Sequence, residues 1–574
     1  MNEIASPTPA VSPWRRFAVI SCIVLSFVGL SVRAFYLQVL AGDFYQEKGK
    51  RQQVREVKIP AHRGMLLDRN GTPLAISAPV HAVCVNPREF QASPGQIRQL
   101  AKYLGQSSKK LEKNIQRHRN RGFLYLKRQL APSVAEKIDA LDIKGVFLQS
   151  EFRRYYPAGE VTAHLLGFTD IDQRGQEGLE KWFDPQLQGI PGLKRVLRDR
   201  RARAIEDIDL IRPPRPGKDI HLSLDARLQY WVYRVLKQTV KSHHAKGGSV
   251  VMLDARTGEV LALANQPEFN PNARGSLRPA RFRNRAIVDV FEPGSTMKPI
   301  AIACALKAGV VRPGFRVDTS PGHIRVGRHW VRDHKNEGPL DLAGILHKSS
   351  NVGITKVTLR LTPKGFSSCL QGFGFGRMAG VDFPGEAKGV LTDYRGWGQF
   401  EQATLAFGYG LSVSALQLAR AYTVFADRGR LHSVSLTPRV VDDKVSAVMP
   451  ATIANLVRTM LEGVVSEAGT ARRAQIPGYR VAGKTGTVRK AIPGGYAKDR
   501  YLSLFVGMAP ASAPRLVLAV IIDEPQGKRY YGGEVAAPAF ARIMGAALRL
   551  MGIAPDRPAA EDTILVRRGD GEMG

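Results

Sequence analysis

The chain has 574 residues, 44% hydrophobic and 23% charged, which excludes a disordered polymer and exceeds one ordinary core, so several units are expected. Its 84 Lys and Arg against 50 Asp and Glu leave a net charge of +34. With no RNP-like, zinc-finger or basic-zipper pattern, that excess points away from nucleic acid and toward anionic lipid head groups or an acidic polymer.

Residues 1–16 are polar, hold Pro7, Pro9 and Pro13, and end in Arg15-Arg16; a short cytoplasmic tail is expected. Phe17–Val32 carries no charge, and with Ala34–Leu40 beyond Arg33 the segment 17–40 reaches the ~20 residues that a bilayer requires. Arg15 and Arg16 favour a cytoplasmic N-terminus with the remainder outside, and Arg33 can snorkel to the interface. Val39-Leu40-Ala41 resembles a cleavage site, but the apolar stretch exceeds the ~7–15 residues of a signal peptide, so an uncleaved anchor is expected.

Residues 41–212 are mixed and basic. Strand and turn are expected over 58–71, where Asn70-Gly71 is a hairpin signal, and a charged helical surface over 107–121. A proline-rich linker at 213–219 leads to a second domain over 220–552, and 553–574 is a polar tail. Two strands flank the turn Arg256-Thr257-Gly258, three more are expected near 479–482, 502–508 and 516–522, and a helix over 536–550. Strands at both ends with helical segments between imply an α+β fold, helices packed on a mostly antiparallel sheet. Cys22, Cys84, Cys304 and Cys369 form no C-x-x-C pair, so neither a disulfide framework nor a zinc site is expected. The His243-His244 and His329/His334 pairs lack a third ligand at helical spacing, and no metal is expected.

Three short motifs follow in order within the second domain: Ser295-Thr296-Met297-Lys298, Ser349-Ser350-Asn351 and Lys484-Thr485-Gly486-Thr487. Each alone has an ordinary explanation: a capping serine with a solvated lysine, a helix-to-helix turn, a hairpin. A second S-x-x-K at Ser107–Lys110 is expected to be such a chance match. The ordered triplet is the specific signal. Ser295 follows the turn Glu292-Pro293-Gly294 at the start of a helix, where free amides favour negative charge. Lys298 lies one turn along the same face and can act as a base only when neutral, so burial or nearby cations must lower its pKa. Ser349 can relay a proton, and Asn351 can position a substrate amide and hydrogen-bond Lys298. Lys484 and Thr485 can bind a carboxylate, Gly486 admits a ligand backbone, and the N–H groups of Ser295 and Thr487 can form an oxyanion hole. The spacing before Lys484 is not that of a phosphate-binding loop.

With these motifs the chain resembles the class B penicillin-binding proteins over nearly its whole length. The likeness runs from Arg33–Gln38 through Arg63–Gly71, Arg154–Pro157, Ala163–Gly167 and Glu177–Glu180 to Phe291–Pro299 and the other two motifs. Ala163–Thr169, Lys348–Ile354 and Tyr530-Tyr531-Gly532-Gly533 are similar to the septal, cell-division branch. The resemblance implies a non-catalytic periplasmic pedestal over 41–212 and a transpeptidase domain over 220–552. It implies that stem peptides of peptidoglycan are cross-linked through an acyl-enzyme on Ser295, with release of D-alanine, and that β-lactams acylate the same residue. It implies no cofactor, partners that include a polytopic septal glycosyltransferase and other division proteins, and Tyr409 and Arg489 as active-site wall. The alternatives are an elongation-type enzyme of the same class and a membrane-anchored β-lactam sensor.

Overall fold

The computed structural model describes residues 13–40, 43–44, 54–198, 204–273, 278–439 and 445–557. Pro13–Phe35 is an α-helix that continues as a π-helical turn over Tyr36–Leu40, and none of these residues is buried. The resulting 28-residue apolar helix is longer than a ~30 Å hydrocarbon layer at ~1.5 Å per residue. Arg33 lies over the Tyr36 ring, a pairing of residue types suited to a membrane interface.

Beyond this helix the chain divides into two compact units. One takes residues 79–152 and 189–216 together with the segment up to His62; the other takes 63–78, 153–188 and 217 onward. The chain passes between the units five times, and the linker expected at 213–219 holds only the last passage, between Pro216 and Gly217.

In the first unit Val54–Ile59, Gly192–Arg198 and Ala204–Arg212 form an antiparallel sheet with Gly192–Arg198 at its centre. A separate core gathers Val83, Val85, Leu100, Leu104, Leu111, Ile115, Leu130 and Ile138. Helix Pro94–Leu104 opens on a capping box between Ser93 and Gln96 and closes on left-handed Gly105. Ser107 then caps helix Ser108–Arg117 by accepting from Lys110 N at 3.3 Å, with Lys110 exposed. This second S-x-x-K is a capping motif.

In the second unit Asn70-Gly71 turns the chain between Leu66–Leu67 and the strand that begins at Pro73, as its sequence predicts, with Gly71 at φ +84°. Three stretches distant in sequence meet nearby. Glu180 takes Arg63 Nε at 2.9 Å on one carboxylate oxygen and Arg154 Nε at 2.6 Å on the other. Arg63 also reaches Asp184 at 2.7 Å, and Arg154 donates to Gly64 O at 2.8 Å. All three members of this Arg–Glu–Arg cluster are buried.

Strands β1 (Gly247–Asp254), β2 (Val260–Gln266), β3 (Ala482–Ile492), β4 (Gly495–Ala509) and β5 (Leu516–Asp523) form one antiparallel sheet in the order β2-β1-β5-β4-β3. Helices α1 (Ala226–Ser242), α2 (Lys298–Lys307), α3 (Leu342–Lys348), α4 (Asn351–Thr358), α5 (Ala415–Ala426) and α6 (Gly532–Leu550) belong to the same unit. Asp225 starts α1 by accepting from Arg227 N and Leu228 N. Strands β1 and β2 are buried at every residue, and β5 at all but its last, which requires cover on both faces of the sheet. Helices α1 and α6 pack on each other and on the strands, and α5 packs on β1, β4 and β5. Helix α2 is buried from Lys298 to Leu306, an apolar element set inside the unit rather than on it.

Two expectations are corrected. Cys304 on α2 and Cys369 on helix Pro363–Gly372 form a disulfide; their sequence separation of 65 gave no local spacing to read. Lys484–Thr487 do not follow a strand but lie inside β3, with Thr485, Gly486 and Thr487 opposite Phe505, Leu504 and Ser503 of β4. The glycine and threonines read as a turn until the partner strand is in place.

Candidate active site

Ser295 sits in a tight 3-10 turn, Gly294–Met297, directly ahead of α2, whose own N-cap is Met297. The turn is held on several sides. Gly294 is left-handed at φ +56° and donates its N–H to Gly408 O at 3.1 Å. Gly408 is itself at φ +84°, and a Cβ there would lie 2.1 Å from Gly294 O, so only glycine permits this approach. Thr296 Oγ1 donates to Pro293 O and Tyr422 OH to Thr296 O, each at 2.7 Å.

Lys298 is fully buried, with Nζ 3.0 Å from Ser295 Oγ and 3.1 Å from Ser349 Oγ. It also donates to the Ser349 carbonyl. Ser349 ends α3 in the left-handed region at φ +59°, a conformation that costs a non-glycine residue roughly 1–3 kcal/mol and turns its carbonyl and hydroxyl together toward Lys298. Ser350 then caps α4, accepting from Gly353 N at 2.8 Å. Asp333 clamps this junction. It accepts from Ser350 Oγ, Asn351 N and Val352 N, the last at 3.0 Å, a carboxylate placed where helix amides favour one. Asn351 Nδ2 donates to Arg332 O at 3.0 Å. No bond joins Asn351 to Lys298 among the described residues; the carbonyl and hydroxyl of Ser349 take that place instead.

Lys484, on β3 and fully buried, puts Nζ 3.1 Å from Ser349 Oγ, so one hydroxyl bridges two lysines. Thr485 Oγ1 pairs with Thr470 Oγ1 at 3.1 Å, and Thr487 Oγ1 accepts from Gly532 N at 2.9 Å. Strand β3 is the sheet's edge, and a Cβ on Gly486 would lie 3.2 Å from Pro293 O, so this edge runs against the Ser295 turn. Burial lowers the pKa of Lys298 well below the usual ammonium range; Lys484 pushes it the same way and Asp333 opposes. Burial also brings Lys484 down to about 7. Two ammonium groups sharing one hydroxyl cannot both stay charged at small cost.

Tyr409 and Arg489 meet beside this centre. The Arg489 backbone is within hydrogen-bond reach of the Tyr409 hydroxyl, whose pKa is raised by burial and by Glu292. The Tyr409 ring packs edge-on against Tyr496 at 5.5 Å. Glu292 accepts from Gly410 N at 2.9 Å and Tyr496 OH at 3.1 Å, tying the Gly408–Gly410 loop to the Ser295 turn. Sequence reasoning missed Asp333, Glu292, Thr470 and Tyr496. Only Glu292 had a signal, its place in the turn before Ser295.

The arrangement offers a serine hydroxyl, a lysine whose charged form burial disfavours, a second hydroxyl connecting that lysine to another, and a strand edge beside the serine turn. That is equipment for acyl transfer. The family pattern described as Penicillin binding protein transpeptidase domain matches residues 248–545, and that described as Penicillin-binding Protein dimerisation domain matches residues 58–222. The chain is 41% identical over 553 residues to the probable peptidoglycan D,D-transpeptidase PbpC of Pseudomonas aeruginosa, covering 96% of this chain and 98% of that protein. It is 40% identical over 570 residues to the peptidoglycan D,D-transpeptidase FtsI of Escherichia coli, covering 98% and 96%. The solved transpeptidase domain of Burkholderia pseudomallei penicillin-binding protein 3 is 42% identical with a TM-score of 0.55, covering 59% of this chain and 98% of that one. The chain therefore belongs to the class B penicillin-binding proteins, septal type, and is a serine-type peptidoglycan D,D-transpeptidase.

Proposed function

We propose that Ser295, Lys298, Ser349 and Asn351 perform this reaction and that Lys484, Thr485, Gly486, Thr487, Tyr409 and Arg489 hold the substrate. The observation that carries the assignment is Lys298 Nζ, buried and 3.0 Å from Ser295 Oγ. Neutral Lys298 takes the hydroxyl proton as Oγ attacks the carbonyl carbon of the penultimate D-alanine. The amide C–N bond breaks, and the proton reaches the leaving amine through Ser349. Lys484 and Thr485 hold the terminal carboxylate, and the N–H groups of Ser295 and Thr487 receive the developing oxyanion. An amine of a neighbouring stem peptide then displaces Oγ, forming the cross-link and returning the proton to Ser295. Asn351, anchored to Arg332 O, orients the substrate amide with its free oxygen.

In this reading the N-terminal helix is an uncleaved anchor, with Arg15 and Arg16 in the cytoplasm and the catalytic unit outside the inner membrane, where a polytopic septal glycosyltransferase and other division proteins are its partners. Ser295→Ala should lose covalent penicillin labelling while its thermal unfolding stays unchanged. Lys298→Ala should cut acylation by a similar factor, roughly a thousandfold or more, because base and nucleophile act as a unit. Intact-mass spectrometry reads both variants, and a full-size adduct on Ser295→Ala would overturn the assignment. Depletion in cells should give filaments with unfinished septa; round, swollen cells would indicate the elongation type.

A further inference from the structure

A second cleft opens on the Ser349–Asn351 side of the site. The strands His323–Val326 and His329–Arg332 pair as a hairpin. One face packs Ile324, Val326 and Val331 into a small apolar core with Ala403. The other face leaves His323, Arg325, Trp330 and Arg332 exposed, and Trp330 is 52% accessible with the His323 ring edge-on at 5.1 Å. His323, Trp330 and Arg332, together with His334, Lys335 and Asn336, line a cleft of about 340 Å³, enough for a sugar ring or a short stretch of peptide. Among the described residues the side chains of Arg332, His334 and Lys335 have no ion-pair or hydrogen-bond partner. Asp333, also on the cleft wall, has its carboxylate occupied by Ser350, Asn351 and Val352. The lining therefore presents unpaired cations and an open aromatic face.

The cleft wall is bonded to the second motif. Arg332 O holds the Asn351 amide and Asp333 holds the Ser350 hydroxyl, so two residues of its wall touch the second motif directly. In the proposed reaction the donor is held at Lys484 and Thr485 on β3, and the incoming amine approaches the ester from elsewhere. Lys298, which would take the amine's proton, bonds Ser349 Oγ as well as Ser295 Oγ, and Ser349 directly precedes the Ser350-Asn351 pair that the cleft wall holds.

We propose that this cleft binds the acceptor strand of peptidoglycan: its acidic stem peptide on Arg332 and Lys335, and the apolar face of its sugar on Trp330. The proposal rests on the transpeptidase reading. The bound strand presents its amine to the acyl carbonyl, the new C–N bond replaces the bond to Ser295 Oγ, and the amine's proton returns to that oxygen through Lys298. Binding the carboxylate away from Lys484 keeps the acceptor from competing with the donor for one cation.

The experiment uses the full-length chain in detergent with a thioester donor and two acceptors, D-alanine and a disaccharide-peptide. Trp330→Ala and Lys335→Glu should each raise KM for the disaccharide-peptide roughly tenfold, the scale of one lost charged or stacking contact. Penicillin acylation and transfer to D-alanine should stay within about twofold, as for surface changes elsewhere. Trp330→Phe should restore most of the loss. An unchanged KM in both variants, or an equal loss in penicillin acylation, would overturn the acceptor site. A wild-type chain that takes no penicillin would instead remove the transpeptidase reading beneath it.

Discussion

At the scale of single residues the site depends on keeping Lys298 neutral, and its surroundings pull in opposite directions. Burial and Lys484 lower its pKa while Asp333 raises it. A base works above its pKa, so acylation should fall on the acid side as Lys298 takes up a proton. Asp333→Asn can keep an oxygen on the Asn351 and Val352 N–H groups and turn its amide N–H toward the Ser350 hydroxyl oxygen, while removing the charge that favours protonated Lys298. Lys298 then stays neutral to lower pH, and the acid limb of the acylation rate should move down in pH; a limb that moves up or stays would contradict the electrostatic role of Asp333. The same residue marks where sequence reasoning stopped. Ser295, Lys298, Ser349 and Lys484 were legible because their chemistry repeats at short, fixed spacings. Asp333 acts from 17 residues before Ser350 through a hairpin of no diagnostic pattern, and nothing local says what its carboxylate touches. The bond expected between Asn351 and Lys298 failed for a related reason: the left-handed turn at Ser349 presents its own carbonyl and hydroxyl to the lysine, and a serine gives no advance sign of that conformation.

At the scale of elements, charged groups buried between segments explain why residues far from the chemistry are fixed. The antiparallel sheet and its helices were readable from apolar runs and turn residues, and the Asn70-Gly71 hairpin from its dipeptide. The joining of 63–78 and 153–188 to the second unit was not, because local patterning carries no information on which distant segments meet. Arg63, Arg154 and Glu180 hold part of that junction, with both guanidiniums on one carboxylate. Buried pairs add little net stability over an apolar replacement, but breaking one strands a charge. Glu180→Gln removes the only carboxylate on Arg154 among the described residues and leaves Arg63 with Asp184 alone. Unfolding in urea should show a loss of about 3–5 kcal/mol, with penicillin acylation retained at low temperature. A loss under about 1 kcal/mol, the range of exposed pairs, would mean that the cluster is solvated in solution.

At the scale of the whole molecule, the apolar N-terminal helix and the disulfide bear on the proposed location. Disulfides persist outside the reducing cytoplasm, and Cys304 and Cys369 lie in the unit that the proposed orientation places there. Cys22 lies on the N-terminal helix and Cys84 is a buried free thiol. The bond ties α2, which begins at Lys298, to helix Pro363–Gly372, so it constrains the element that positions the base. Closing a chain segment with a separation of 65 residues restricts the unfolded state by about 4 kcal/mol in the chain-entropy account. Protein taken from cells with thiols trapped, then denatured, should therefore show modification at Cys22 and Cys84 alone, and at all four cysteines only after reduction. The Cys304→Ala, Cys369→Ala double variant should unfold at correspondingly lower urea, with its acylation rate at low temperature little changed because neither sulfur touches Ser295 or Lys298. Four modified cysteines without reduction would show that the bond does not form in the cell, and would count equally against the placement of this unit outside the cytoplasm.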